Sequence, residues 1–218
     1  MSKKVIVWIH GSNGMGKTTQ SRMLIRALAG EVEGDLIQGE ENGLNYIYTK
    51  FGTDVIVIGK MGLNQCTGID SVFSKLKVDG VTKSIEKALN EKDCPIIVVE
   101  CVFATMKWYK SWVESGIRKR FKLLVAFLDA NLWNNYNRIA QRRAVKQNRK
   151  DWWNILLEDT VYKHTGAKNS EIRTIFNKLS GTWKDGEPKL ADCLLKIDAT
   201  IPKDKVHEQI TNFIMENI

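Results

Sequence analysis

Residues 4–10, KVIVWIH, form a continuous apolar run that stops on a glycine, and the run leads straight into GSNGMGKT, which sets Gly11 and Gly16 ahead of Lys17 and Thr18. Apolar side chains at successive positions, without polar alternation, describe a strand covered on both faces, as in a parallel sheet wrapped by helices. Residues 17–28 carry Met23, Leu24, Ile25 and Leu28, lack proline and meet Gly30, which is the pattern of a helix with a glycine stop. A strand, a glycine turn and a helix in this order make backbone N–H groups converge at the positive end of the helix dipole, where phosphate is bound. The spacing fits G-x-x-x-x-G-K-[ST], so Gly11, Ser12, Asn13, Gly14, Met15, Gly16, Lys17, Thr18 and Thr19 are the candidate nucleotide-binding residues. In that pattern Lys17 reaches the β- and γ-phosphates of ATP, and the Thr18 hydroxyl is a ligand for Mg²⁺.

The rest of the chain repeats the alternation. Residues 95–103 (PIIVVECVF), 121–129 (FKLLVAFLD) and 193–198 (CLLKID) read as further buried strands, separated by helical stretches at 79–91 and 132–150 and followed by a terminal helix from about Lys203. Residues 45–49 (NYIYT) and 54–59 (DVIVIG) flank a turn containing Gly52 and suggest a hairpin. The predicted fold is α/β, a P-loop NTPase with a parallel sheet and helices on both faces, the kinase-type three-layer sandwich. A length of 218 residues suits one domain, 1–218, with a basic lid region over 132–150 and a polar insertion or flap over 165–188 that carries Gly166, Gly181 and Gly186.

Charge narrows the partners. The chain has a net charge of +8, yet residues 107–150 alone hold twelve Lys/Arg against Glu114 and Asp129, a local +10. That asymmetry points to a polyanion such as DNA rather than to a generally basic surface. No run approaches the roughly 18 apolar residues of a membrane span. Cys66, Cys94, Cys101 and Cys193 show no metal-ligand spacing, and His10, His164 and His207 are scattered, so reduced thiols and a cytoplasmic location are expected. The oligomeric state stays open, a homodimer included.

The acceptor side is carried by other residues. Arg138 and Arg142 share a helical face at i,i+4, with Arg143 beside them, one helix after the strand 121–129, where a phosphate-covering lid belongs; a plain solvated helix is the alternative. Asp70, in TGID, is expected on a loop at the carboxyl edge of the sheet as an acceptor-site acid or a helix cap, and Glu100, which ends IIVVE, as a catalytic or Mg²⁺-side carboxylate. Asp129 is expected to cap the following helix. Of the seven tryptophans, Trp8 belongs to the core, Trp108 and Trp112 divide between core and a stacking surface, and Trp152 and Trp153 lie beside Arg149 and Lys150 as base-stacking residues would. A guanine-reading NKxD is not found after the strand ending at Asp129.

Taken together, KVIVWIHGSNGMGKTT, VIVIGK, TGID, VVEC and FLDANLWNNYNRIAQRR resemble the P-loop kinases of the nucleoside monophosphate kinase type, and most of all the phage 5-hydroxymethyluracil DNA kinases. Met61 after Lys60 and Cys101 after Glu100 depart from the narrower pattern. The resemblance implies an ATP-dependent kinase with Asp70 and Glu100 at the acceptor, the acceptor being a hydroxymethyl group on a DNA pyrimidine that a duplex must flip out. A thymidylate-like deoxynucleotide kinase and a nucleic-acid-binding ATPase are the two other readings.

Overall fold

The computed structural model describes residues 3–30, 33–61, 66–101, 106–150, 154–155, 159–181 and 190–218. Trp152, Trp153 and residues 182–188 of the expected flap fall outside them.

The strands are β1 (Lys4–Gly11), β2 (Asp35–Glu41), β3 (Leu44–Phe51), β4 (Val55–Ile58), β5 (Lys60–Met61), β6 (Cys66–Thr67), β7 (Ile96–Cys101), β8 (Phe121–Asp129) and β9 (Cys193–Asp198). The helices are α1 (Lys17–Ala29), α2 (Gly68–Asn90, interrupted at Lys77), α3 (Met106–Glu114), α4 (Leu132–Lys146), α5 (Asp159–Leu179) and α6 (Lys203–Met215). Seven strands form one sheet in the order β2-β3-β4-β7-β1-β8-β9. β4, β7, β1, β8 and β9 run parallel, while β2 and β3 add an antiparallel ribbon at one end. The hairpin expected at 45–59 is the β3–β4 pair.

Both faces of the sheet are buried, which is why β1 reads as an unbroken apolar run. Ile6 and Trp8 point to the side where α2, α3 and α5 contribute Ile85, Trp108, Trp112, Ile175 and Leu179. Val5, Val7 and Ile9 point to the other, against Leu24 and Ile25 of α1 and Val206, Ile210 and Ile214 of α6. The result is the α/β P-loop sandwich that the strand pattern predicts. Trp108 and Trp112 are fully buried, so neither is a stacking surface.

Three expectations are corrected. The stretch from residue 165 is not a flap up to Leu179 but the continuation of α5: Ile172, Ile175, Phe176 and Leu179 stand at i, i+3, i+4 and i+7, and Phe176 packs on Phe127 with centroids 4.6 Å apart. Asp129 does not cap α4. Asn131 does, accepting a hydrogen bond from the Asn134 amide at 2.8 Å, while Asp129 pairs with Lys196 at 2.9 Å. Asp70 lies in the first turn of α2 rather than on a loop, a placement that the helix dipole favours for an acid.

The basic segment is also divided by the topology. Arg118 is buried, paired with Asp192 at 2.9 Å and donating to the Phe121 carbonyl. Arg118, Lys119, Arg120 and Lys122 sit where β8 begins, at the amino edge of the parallel strands, opposite the glycine loop. The basic residues of α4 begin from the carboxyl edge.

Candidate functional site

The glycine loop joins the carboxyl end of β1 to α1, at the centre of the sheet. Gly11 (φ +152°) has no room for a side chain, since a Cβ there would stand 2.6 Å from the Leu128 carbonyl oxygen. Gly16 has open space around it but sits at φ +81°, a left-handed conformation that glycine adopts without strain. It also serves as the N-cap of α1 without a capping side chain, and the first turn of α1 holds no acid. The helix therefore presents uncapped amides and an uncompensated dipole to the loop, the condition for binding an anion.

Two side chains are already in position. Lys17 is buried, its Nζ donating to the Ser12 carbonyl at 2.8 Å, so the ammonium rests inside the loop it serves. Thr18 Oγ1 donates to Glu100 Oε1 at 2.8 Å, which ties the start of α1 to the end of β7. Glu100 is 8% exposed. A hydroxyl and a carboxylate at that separation are the hard oxygen ligands that Mg²⁺ takes.

α4 braces the loop from the other side. Asn135, fully buried, donates from Nδ2 to Ser12 Oγ at 2.9 Å, and its Oδ1 lies 2.8 Å from where a Cβ on Gly14 would be. Arg138 donates to the Gly14 carbonyl at 3.5 Å and to the Ala199 carbonyl at 2.8 Å, joining the glycine loop to the turn between β9 and α6. Arg142, one helical turn on, is exposed and is not brought to the loop. A cavity of about 250 Å³ opens beside Gly14, Met15 and Gly16, walled by Arg138, Ile201 and Lys203. A larger hollow of about 470 Å³ lies at the amino edge, near Lys3, Phe121 and Lys122, and is lined by no residue of the glycine loop.

Asn135 was not among the candidates from sequence. With alanine at 135 the Ser12 hydroxyl loses its partner, and the Kd for ATP should rise about tenfold, the cost of one buried polar group left unpaired. Titration calorimetry of the variant against the parent measures this directly.

On the acceptor side, Lys60 follows Gly59 at the end of the β4 segment, and the turn is pinned by Thr49, whose hydroxyl donates to the Gly59 carbonyl at 2.7 Å and accepts from the Met61 amide at 3.2 Å. Asp70 belongs to α2; its side chain lies outside the described residues.

His10 closes β1 beneath the loop. Its Nδ1 accepts the Gly11 amide at 2.6 Å and its ring stacks on Trp8, centroids 5.2 Å apart. Burial, and secondarily the Lys17 charge, push its pKa from 6.5 down to about 3. The ring is therefore neutral, with its proton on Nε2. Above about pH 6.5 both folded and unfolded chains carry neutral His10; below it the unfolded chain binds a proton that the folded one refuses, so stability falls as pH falls until the folded ring titrates. Urea denaturation between pH 7 and pH 4 should show this as a slope of up to about 1.4 kcal/mol per pH unit that is missing from His10→Asn.

No protein-family model matches the chain, and no curated protein is significantly similar to it. Among solved structures it resembles a deoxyadenosine kinase from M. mycoides with bound dATP (12% identity, 97% of this chain and 100% of that one, TM-score 0.45). It also resembles an uncharacterized protein from Eubacterium ventriosum (15% identity, 99% and 100%, TM-score 0.44). A full-length tRNA isopentenylpyrophosphate transferase from Bacillus halodurans matches at 15% identity over 98% and 96%, with a TM-score of 0.38. Similarity of this depth carries no argument about activity, and the functional reading rests on the residues of the site.

Proposed function

We propose that this chain is an ATP-dependent kinase that transfers the γ-phosphoryl group to a hydroxyl on a nucleotide base in DNA, of the 5-hydroxymethyluracil type. The observation that carries the phosphoryl-transfer reading is the Thr18–Glu100 hydrogen bond, because it brings an oxygen ligand pair for a divalent cation to the mouth of a phosphate-binding loop. Mg²⁺ held there by Thr18 and Glu100 would offset the negative charge of the phosphates.

The chain's own groups account for the remainder. Loop amides and the α1 dipole hold the phosphate oxygens, and Lys17 exchanges the Ser12 carbonyl for an oxygen of the β- or γ-phosphate. The cavity between Arg138 and Ile201 receives the donor base. As the acceptor oxygen bonds to the γ-phosphorus, the bond to the β–γ bridging oxygen breaks and ADP leaves. Glu100 is engaged with Thr18, so the acceptor's proton is assigned to Asp70.

The DNA acceptor rests on the resemblance of VIVIGK, TGID and VVEC together with the basic α4. The division of the +10 segment between two edges of the sheet favours a second reading, a free deoxynucleotide kinase. γ-Labelled ATP offered with hydroxymethyluracil-containing DNA, ordinary DNA and free deoxynucleotides in parallel separates the two. Label is expected on the modified DNA; label on free nucleotides alone would establish the second reading.

A further inference from the structure

We infer that the outer ridge of α4 is a track for a DNA backbone, beginning at the donor site and leading away from it; this rests on the DNA acceptor proposed above. Residues 130–150 contain six Lys/Arg and no acid. Arg138, Arg142 and Lys146 follow one another at i,i+4 along one stripe, and Arg149 and Lys150 come next in the chain after the helix ends at its Gln147 cap. Arg138 is engaged by the Gly14 and Ala199 carbonyls, and Arg149 donates to Gln147 Oε1 at 3.4 Å.

Elsewhere on the surface several lysines sit on carboxylates: Lys50 on Glu91, Lys83 and Lys87 on Glu41, Lys110 on Glu114, Lys205 on Glu208. Among the described residues no carboxylate pairs with Arg142 or Lys146. Successive like charges at i,i+4 weaken a helix, so the stripe is a cost to the free protein that an external row of anions would remove. Its pitch suits that row. From Arg138 to Lys146 is eight residues, about 12 Å along the axis, close to the span of two phosphate steps on an extended strand.

The ridge also starts in the right place. Arg138 touches the glycine loop, so a backbone lying on Arg142 and Lys146 passes the carboxyl edge of the sheet, where an extruded base reaches the γ-phosphate.

The test is the triple variant Lys146→Glu, Arg149→Glu, Lys150→Glu, which leaves Arg138 and Arg142 intact. Binding of a fluorescein-labelled duplex is followed by anisotropy over a salt series, beside ATP affinity, melting temperature and phosphoryl transfer to modified DNA and to free deoxynucleotides. We expect the variant to melt and bind ATP as the parent does, to bind DNA at least tenfold more weakly, and to lose about two to three from the log–log salt slope, near 0.9 per phosphate released. The uncharged triple variant Lys146→Gln, Arg149→Gln, Lys150→Gln should show the same loss in reduced measure. If the parent modifies DNA and either variant does so with unchanged affinity and slope, the ridge is a solvated face and the inference is overturned while the acceptor reading stands. If the parent labels free nucleotides only and does not bind the duplex, both fall.

Discussion

Lys17→Ala should leave a folded chain whose phosphoryl transfer is lower by about a thousandfold or more, since a positioned cation at a transferring phosphoryl group is worth that much where water is excluded. The fold survives because the packing of this region is made by Trp8, Ile9, Leu24 and Ile25, all buried, while Lys17 contributes polar contacts such as its hydrogen bond to Ser12. The same variant carries an internal control. Lys17 is one of the two causes that depress His10, so its loss should move the His10 pKa upward without restoring it to 6.5, burial being the larger cause. NMR titration of the ring, run beside a transfer assay with γ-labelled ATP and a thermal melt, reads all three. Parent-like turnover would remove the loop from the donor site.

Glu100→Gln should lower turnover by about a hundredfold or more with little change in melting temperature. The amide keeps an oxygen to accept the Thr18 hydroxyl, so the 2.8 Å tie between α1 and β7 survives, and what disappears is the negative charge. Because a carboxylate binds Mg²⁺ far better than an amide does, the variant should also need more Mg²⁺ for half-maximal activity. That shift distinguishes a metal-side residue from a structural one. A large drop in stability with activity retained would instead make Glu100 a buried brace.

The parts legible in the sequence are those whose signal is local. β1, β8 and β9 are buried on both faces or bounded by punctuation, and their limits follow from apolar runs that stop on glycine or acid. β2 was missed because DLIQGEE lies at the sheet edge with most of its side chains exposed, so it neither alternates nor forms a run. α5 reads from residue 165 onward as a polar insertion, because Gly166 and the charged composition outweigh its stripe of Ile172, Ile175, Phe176 and Leu179. At the site, Lys17, Thr18 and Glu100 were recoverable from motif and strand position. Asn135 was not, since its partner Ser12 is 123 residues away and an asparagine inside a basic helix carries no pattern of its own. Arg138 and Arg142 share one face by spacing alone, and only the Gly14 and Ala199 carbonyls distinguish them.

The hydrogen bond from Arg138 to the Ala199 carbonyl makes the nucleotide site a product of the whole chain. β1 and its glycine loop precede β7, β8 and β9 in the chain, yet β1 is flanked by β7 and β8, pairing Val5 with Ile96 and Lys4 with Phe121, and the cavity beside the loop takes one of its walls from the turn after β9. A chain cut before that turn keeps the glycine motif but loses Ala199, Ile201 and Lys203 from the wall of the cavity beside it.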